Sequence, residues 1–135
     1  MELLSILMMA LHIFCAVALV GGALGWGLLA LPGIRQLESA TRAKVENAMA
    51  AAWRPASVYF MAGLLVTGIY NLVATGAHTP RFHMVFGIKM LLVLHVFAVT
   101  LAATRPDNPK RARLMMGVAI SGAIVVLLSV VLLWV

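Results

Sequence analysis

The chain has 135 residues, of which 64% are hydrophobic and only 10% carry a charge. A soluble domain of ordinary composition has about 25% charged residues, so this chain has too little polar surface to face water on all sides. Its formal net charge of +6 does not indicate a nucleic-acid partner, because the basic residues are confined to short loops between long apolar segments, as in polytopic membrane proteins.

A helix needs about 20 apolar residues to cross a bilayer, and four such segments use up most of the chain. We expect one domain, residues 1–135, folded as an all-α, integral membrane four-helix bundle. The first helix is expected over about residues 3–31, ending near Pro32-Gly33, a pair that breaks helices. With Glu2 ahead of it and no basic residue before its apolar run, this segment reads as a retained helix rather than a cleaved leader. Gln36 to Arg54 begins polar and turns alanine-rich, which predicts either a surface helix or an extension of the second span. The remaining spans are expected at about residues 55–74, 82–104 and 114–135, with basic loops at 32–54 and 105–113.

Arg35, Arg42, Lys44 and Arg54 lie in the first loop, and Arg105, Lys110, Arg111 and Arg113 in the third. Eight of the ten Lys and Arg residues thus flank one side, which the positive-inside rule makes cytoplasmic. Both termini are then expected on the outer, periplasmic side of a cell membrane, most simply a bacterial inner membrane. The lone cysteine, Cys15, allows no internal disulfide.

Two histidines stand inside apolar spans. His12 is about nine residues into the first helix and His95 about twelve into the third, counted from the same face, so at 1.5 Å per residue they sit roughly 14 and 18 Å deep. Two imidazoles at matched depth are suited to ligating one haem iron from opposite faces. Interhelical hydrogen bonds to backbone or threonine hydroxyls are the plainer reading of the same residues. A third reading uses Met8, His12 and Cys15, which share one helix face at i−4 and i+3; thioether, imidazole and thiolate together suit copper in its cuprous state. On the third helix Met84 lies near His95 around the axis. Methionine is also an ordinary filler of core gaps.

Lys89 lies one to two turns from the outer surface, either snorkelling outward on its long stem or facing the bundle to pair a haem propionate or another anion. His78 and His83 fall at the outer loop. Gly21 and Gly25, with Gly22 beside them, let another backbone or a flat macrocycle come close; Gly21 and Gly22 are therefore counted with His12, His95 and Lys89 as candidate cofactor contacts. The four acidic residues, Glu2, Glu38, Glu46 and Asp107, all lie outside the spans, so no catalytic carboxylate is assigned.

His12 followed by Gly21-Gly22, Leu31-Pro32 and Arg35 resembles the first helix of the copper-resistance protein D (CopD) family domain. The likeness continues at Arg54, at Thr67-Gly68, and at Phe86-Gly87 with Lys89 and the leucine-rich run behind it. The four-helix protoporphyrinogen oxidase of the HemJ type is similar in its first-helix histidine and in a lysine entering a leucine-rich third helix; Gly27-Leu28, Leu31-Pro32 and Lys89 to Leu94 look like its segments. The resemblance implies a four-helix membrane fold and a first-helix histidine suited to b-type haem or, alternatively, copper. It leaves two roles: a haem-binding protein with an electron-transfer or HemJ-like redox part, or a non-catalytic accessory subunit of a larger membrane complex or homo-oligomer. Of these, a haem-binding or accessory role is expected over an oxidoreductase.

Overall fold

The computed structural model describes residues 2–76 and 78–135. Among these it contains four helices long and apolar enough to cross a membrane: α1 (Leu3–Ile34), α2 (Ser39–Ala74), α3 (Pro80–Ala103) and α4 (Arg111–Val131). The chain is thus all-helical in its described elements, an architecture compatible with a multi-pass membrane protein.

α1 does not stop at Pro32-Gly33 as the sequence suggests. Its α-helical run Leu3–Gly25 passes into a π-helical turn, Trp26–Ala30, and resumes as α-helix over Leu31–Ile34. A proline ring inside a helix clashes with the carbonyl four residues back. Here the turn just before Pro32 is widened, and the Leu31 N–H reaches the carbonyl of Trp26, five residues back. Widening the turn relieves the clash, so the helix continues past the proline to Ile34.

The segment before Arg54 is an extension of the second span. α2 has 36 residues, roughly 54 Å at 1.5 Å per residue, against an apolar bilayer core of about 30 Å. Pro55 lies inside this helix. The helix runs on through it, and the Ser57 hydroxyl, two residues on, donates to the Arg54 carbonyl at 2.8 Å. α3 opens on a proline in its first turn, with the Thr79 hydroxyl accepting from the Phe82 N–H at 3.1 Å. That is the preferred way to start a helix.

α1 packs along α2 and also against α4; α3 packs along α4 and meets α2 more sparsely. α1 and α3 therefore stand on opposite sides of the bundle. The shared core includes Leu19, Ala23, Trp26, Met61, Val96, Met115 and Val118. Without a hydrophobic force between helices in lipid, close approach at small residues supplies much of the packing. The small residues that do this are not Gly21 and Gly25, beside which a Cβ would meet nothing within 4 Å. Gly22, one step round the helix, holds the Trp53 ring where its own Cβ would stand. Gly63 and Gly122 receive Cys15 and Val20 in the same way, with a Cβ 2.7 and 3.0 Å from their nearest atoms.

At the end carrying the basic loops, α4 begins at Arg111, earlier than its apolar run. Arg111 is 2% exposed, not a solvated loop cation. Its Nε donates to the Ala103 carbonyl at 3.0 Å, and its Nη2 to the Arg105 carbonyl at 2.7 Å and to Asn47 Oδ1 at 3.0 Å. Its Nη1 lies 3.6 Å from a Glu46 carboxylate oxygen. Asn47 in turn donates to Asp107 Oδ1 at 2.7 Å and accepts from the Asp107 N–H at 3.1 Å. Asp107 has a positive φ of 52°, a conformation aspartate tolerates better than most residues. The planar fork of one arginine thus ties α2, the end of α3 and the start of α4 together.

Candidate functional site

In the half of the bundle nearer the termini, the inward stripe of α1 runs through Ser5, Met8, His12 and Cys15, at the three- and four-residue steps that keep side chains on one helix face. Each meets α2 or lies beside it. Ser5 Oγ is 3.2 Å from the Tyr70 hydroxyl. Next to the stripe, Asn71 Nδ2 approaches the Met9 sulfur at 3.9 Å. Cys15 is buried in the notch left by Gly63. The imidazole of His12 lies on Gly68, its Cε1 3.3 Å from where a Cβ would be. A larger residue than glycine at that position would push the ring away.

His12 Nδ1 is 2.8 Å from Thr67 Oγ1. Thr67 is fully buried, and its hydroxyl donates to the Gly63 carbonyl at 2.6 Å. A hydroxyl has one proton. With that proton committed to Gly63, the oxygen is an acceptor toward His12, so Nδ1 carries the ring's proton. In the neutral ring Nε2 is then the bare nitrogen with a free lone pair. A hydrogen bond that fixes the tautomer and orients the ring in this way is the usual support of a metal-ligating histidine. It is also a sound interhelical tie in its own right.

Lys89 is half-buried and lies seven and fourteen residues before Val96 and Ala103, both buried. That spacing places it on the face of α3 turned to the bundle. The one acidic residue inside the four helices, Glu46, lies at the other end of the bundle beside Arg111.

His95 is placed differently. It is exposed, on the flank of α3 that carries Ile88 and Leu91, 50% and 70% exposed, and it is not brought into contact with His12. Met84, 64% exposed, shares that outward flank. Met8 is half-buried beside His12. Gly22 is occupied by the Trp53 ring and Gly21 faces open space. His78 stacks on Phe82, ring centres 3.8 Å apart, with His83 edge-on to both. Among the described residues no three His, Cys, Asp or Glu side chains converge on one point.

Thr67 is the residue that reasoning about histidines alone passes over. Its signal was a hydroxyl next to a glycine, Thr67-Gly68, in an otherwise apolar span. No family model, curated protein or solved structure matches this chain.

Proposed function

We propose that the chain is a small multi-pass membrane protein that binds b-type haem through His12, with a redox or electron-transfer role and no catalytic side chain of its own. The observation that carries this reading is the Thr67 hydrogen bond, which leaves His12 Nε2 as a neutral donor nitrogen. Lys89, on α3 and with no carboxylate in its own half of the apolar spans, supports it as the cation for a propionate. When bound, the haem would supply one-electron chemistry. In this reading His12 would hold the iron, Thr67 orients His12, and Lys89 would offset the charge of a propionate. The outward placement of His95 favours His12 as the one histidine of this chain that would hold the haem, over a pair of histidines from α1 and α3. A first-helix histidine and a third-helix lysine on opposite sides of one bundle fit the HemJ and CopD resemblance. The stripe of Met8, His12 and Cys15 is the alternative copper site. Purification from cells supplied with a haem precursor, followed by an absorption spectrum and elemental analysis, tests both. A Soret band supports haem, copper in stoichiometric amount supports the alternative, and a colourless, metal-free protein rejects both.

One observation favours a second role, that of accessory subunit in a larger membrane complex. An imidazole among Ile88, Leu91 and Leu94 is poorly solvated by lipid, and a partner helix lying there would give it a hydrogen bond. In that case His95→Leu leaves the isolated protein as stable as before and weakens its co-purification with the partner. Unchanged recovery of the complex rejects this role. The sidedness in this reading has both termini outside, in a cell membrane, on the strength of the eight loop cations. Reporter fusions after Gly76 and after Asn108 test it, and an external Asn108 loop rejects it.

A further inference from the structure

Between α2 and the turn that follows α3 lies a cavity of about 450 Å³ bordered by Asn47, Ala51, Arg54, Thr104, Arg105 and Pro106. Two of the six residues are arginines, and the first is held in place. Arg54 Nη1 donates to the Leu101 carbonyl at 2.9 Å and to the Thr104 hydroxyl oxygen at 3.3 Å. The Thr104 proton is spent on the Thr100 carbonyl at 2.9 Å. Only one nitrogen of the Arg54 guanidinium is used in this way, so the fork is oriented while Nη2 and Nε keep their donors.

The end of a helix normally repels anions, because its last carbonyls are unsatisfied. Here those carbonyls are already covered. Leu101 receives Arg54, Ala102 receives Asn108 at 2.8 Å, and Ala103 receives Arg111. The two nearby carboxylates are engaged too, Glu46 with Arg111 and Asp107 with Asn47. Arg54, Arg105 and Arg111 outnumber those two carboxylates, and Lys110 and Arg113 add to the excess. The cavity therefore presents oriented, unspent N–H donors and a net positive charge.

We infer that this cavity binds the phosphate of an anionic phospholipid headgroup. Arginine forks match phosphate oxygens in geometry as well as charge, and basic pockets between transmembrane helices take such headgroups. A lipid rather than free phosphate is indicated by position. The cavity lies where α2 and α3 leave their apolar spans, and one turn into the span from Arg54 the exposed surface is already apolar at Val58.

The test is native mass spectrometry of the full chain in detergent, titrated separately with phosphatidylglycerol, phosphatidylcholine and inorganic phosphate. Arg105→Gln is the informative variant, because this exposed side chain, unlike Arg54, caps no helix. Lys44→Gln, outside the cavity, removes the same charge. The wild-type chain should retain phosphatidylglycerol in preference to phosphatidylcholine. Arg105→Gln should weaken that retention about fivefold, the equivalent of one near-surface cation, while Lys44→Gln leaves it unchanged. Equal weakening in the two variants, or no preference between headgroups, would overturn the inference. So would Arg105-dependent binding of inorganic phosphate without retention of lipid.

Discussion

The hydroxyl of Thr67 decides which nitrogen of His12 carries the proton. Thr67 gives its own proton to Gly63 at 2.6 Å and takes one from His12 Nδ1 at 2.8 Å. A residue from α2 thereby prepares a ligand nitrogen on α1. Thr67→Val keeps the shape and removes the acceptor. It should destabilise the bundle by about 1 kcal/mol, the usual scale of interhelical hydrogen bonds in membrane proteins, measured by unfolding in mixed micelles. Thr67→Ser should restore most of the loss. A loss in Thr67→Ser with none in Thr67→Val would show that the methyl group, not the hydroxyl, matters.

The α1–α2 contact depends on Gly63 admitting Cys15. A Cβ at position 63 would stand 2.7 Å from the cysteine sulfur, so Gly63→Ala should cost about 1–3 kcal/mol through overpacking. Cys15→Ala in the same chain should recover much of that, giving a coupling energy that a double-mutant cycle reads directly. Gly21→Ala, where a Cβ meets nothing, should be neutral. A cost at position 21 equal to that at 63 would contradict the packing described.

Arg111 serves three elements at once, so its loss should be felt as a whole-molecule effect. Arg111→Met leaves Glu46 unpaired and takes a donor from the Ala103 and Arg105 carbonyls and from Asn47, and should cost on the order of 3 kcal/mol, in the range for breaking a buried pair. Arg111→Lys should rescue little, because one ammonium does not span the Ala103 and Arg105 carbonyls and Asn47 together. Thermal unfolding in detergent checks this, and full rescue by lysine would reduce the contact to simple charge.

Much of this architecture is legible in the sequence because a bilayer leaves few choices. Apolar runs of about 20 residues become spans, and His12 and Lys89 stand out as ionisable groups within them. The face that His95 presents is not legible in the same way. Apart from Lys89 and His95 themselves, the middle of α3 is apolar all round, and its periodicity carries no contrast from which to tell the bundle from lipid. The π turn at Trp26–Ala30 escapes for another reason: the expectation that Pro32 ends a helix assumes a regular ladder before it. Arg111 reads as one loop cation among eight because its burial depends on the α3 carbonyls that need a donor, and these come together only when the chain folds.

His12, not His95, is the ligand we propose this chain offers to haem. The direct measurement is the haem-to-protein ratio and Soret absorption of purified wild-type, His12→Ala and His95→Ala proteins, repeated with added imidazole. A haem band is expected in the wild-type protein and in His95→Ala, with its loss in His12→Ala and its partial return in His12→Ala when imidazole fills the vacated position. Loss of haem in His95→Ala with retention in His12→Ala would contradict it.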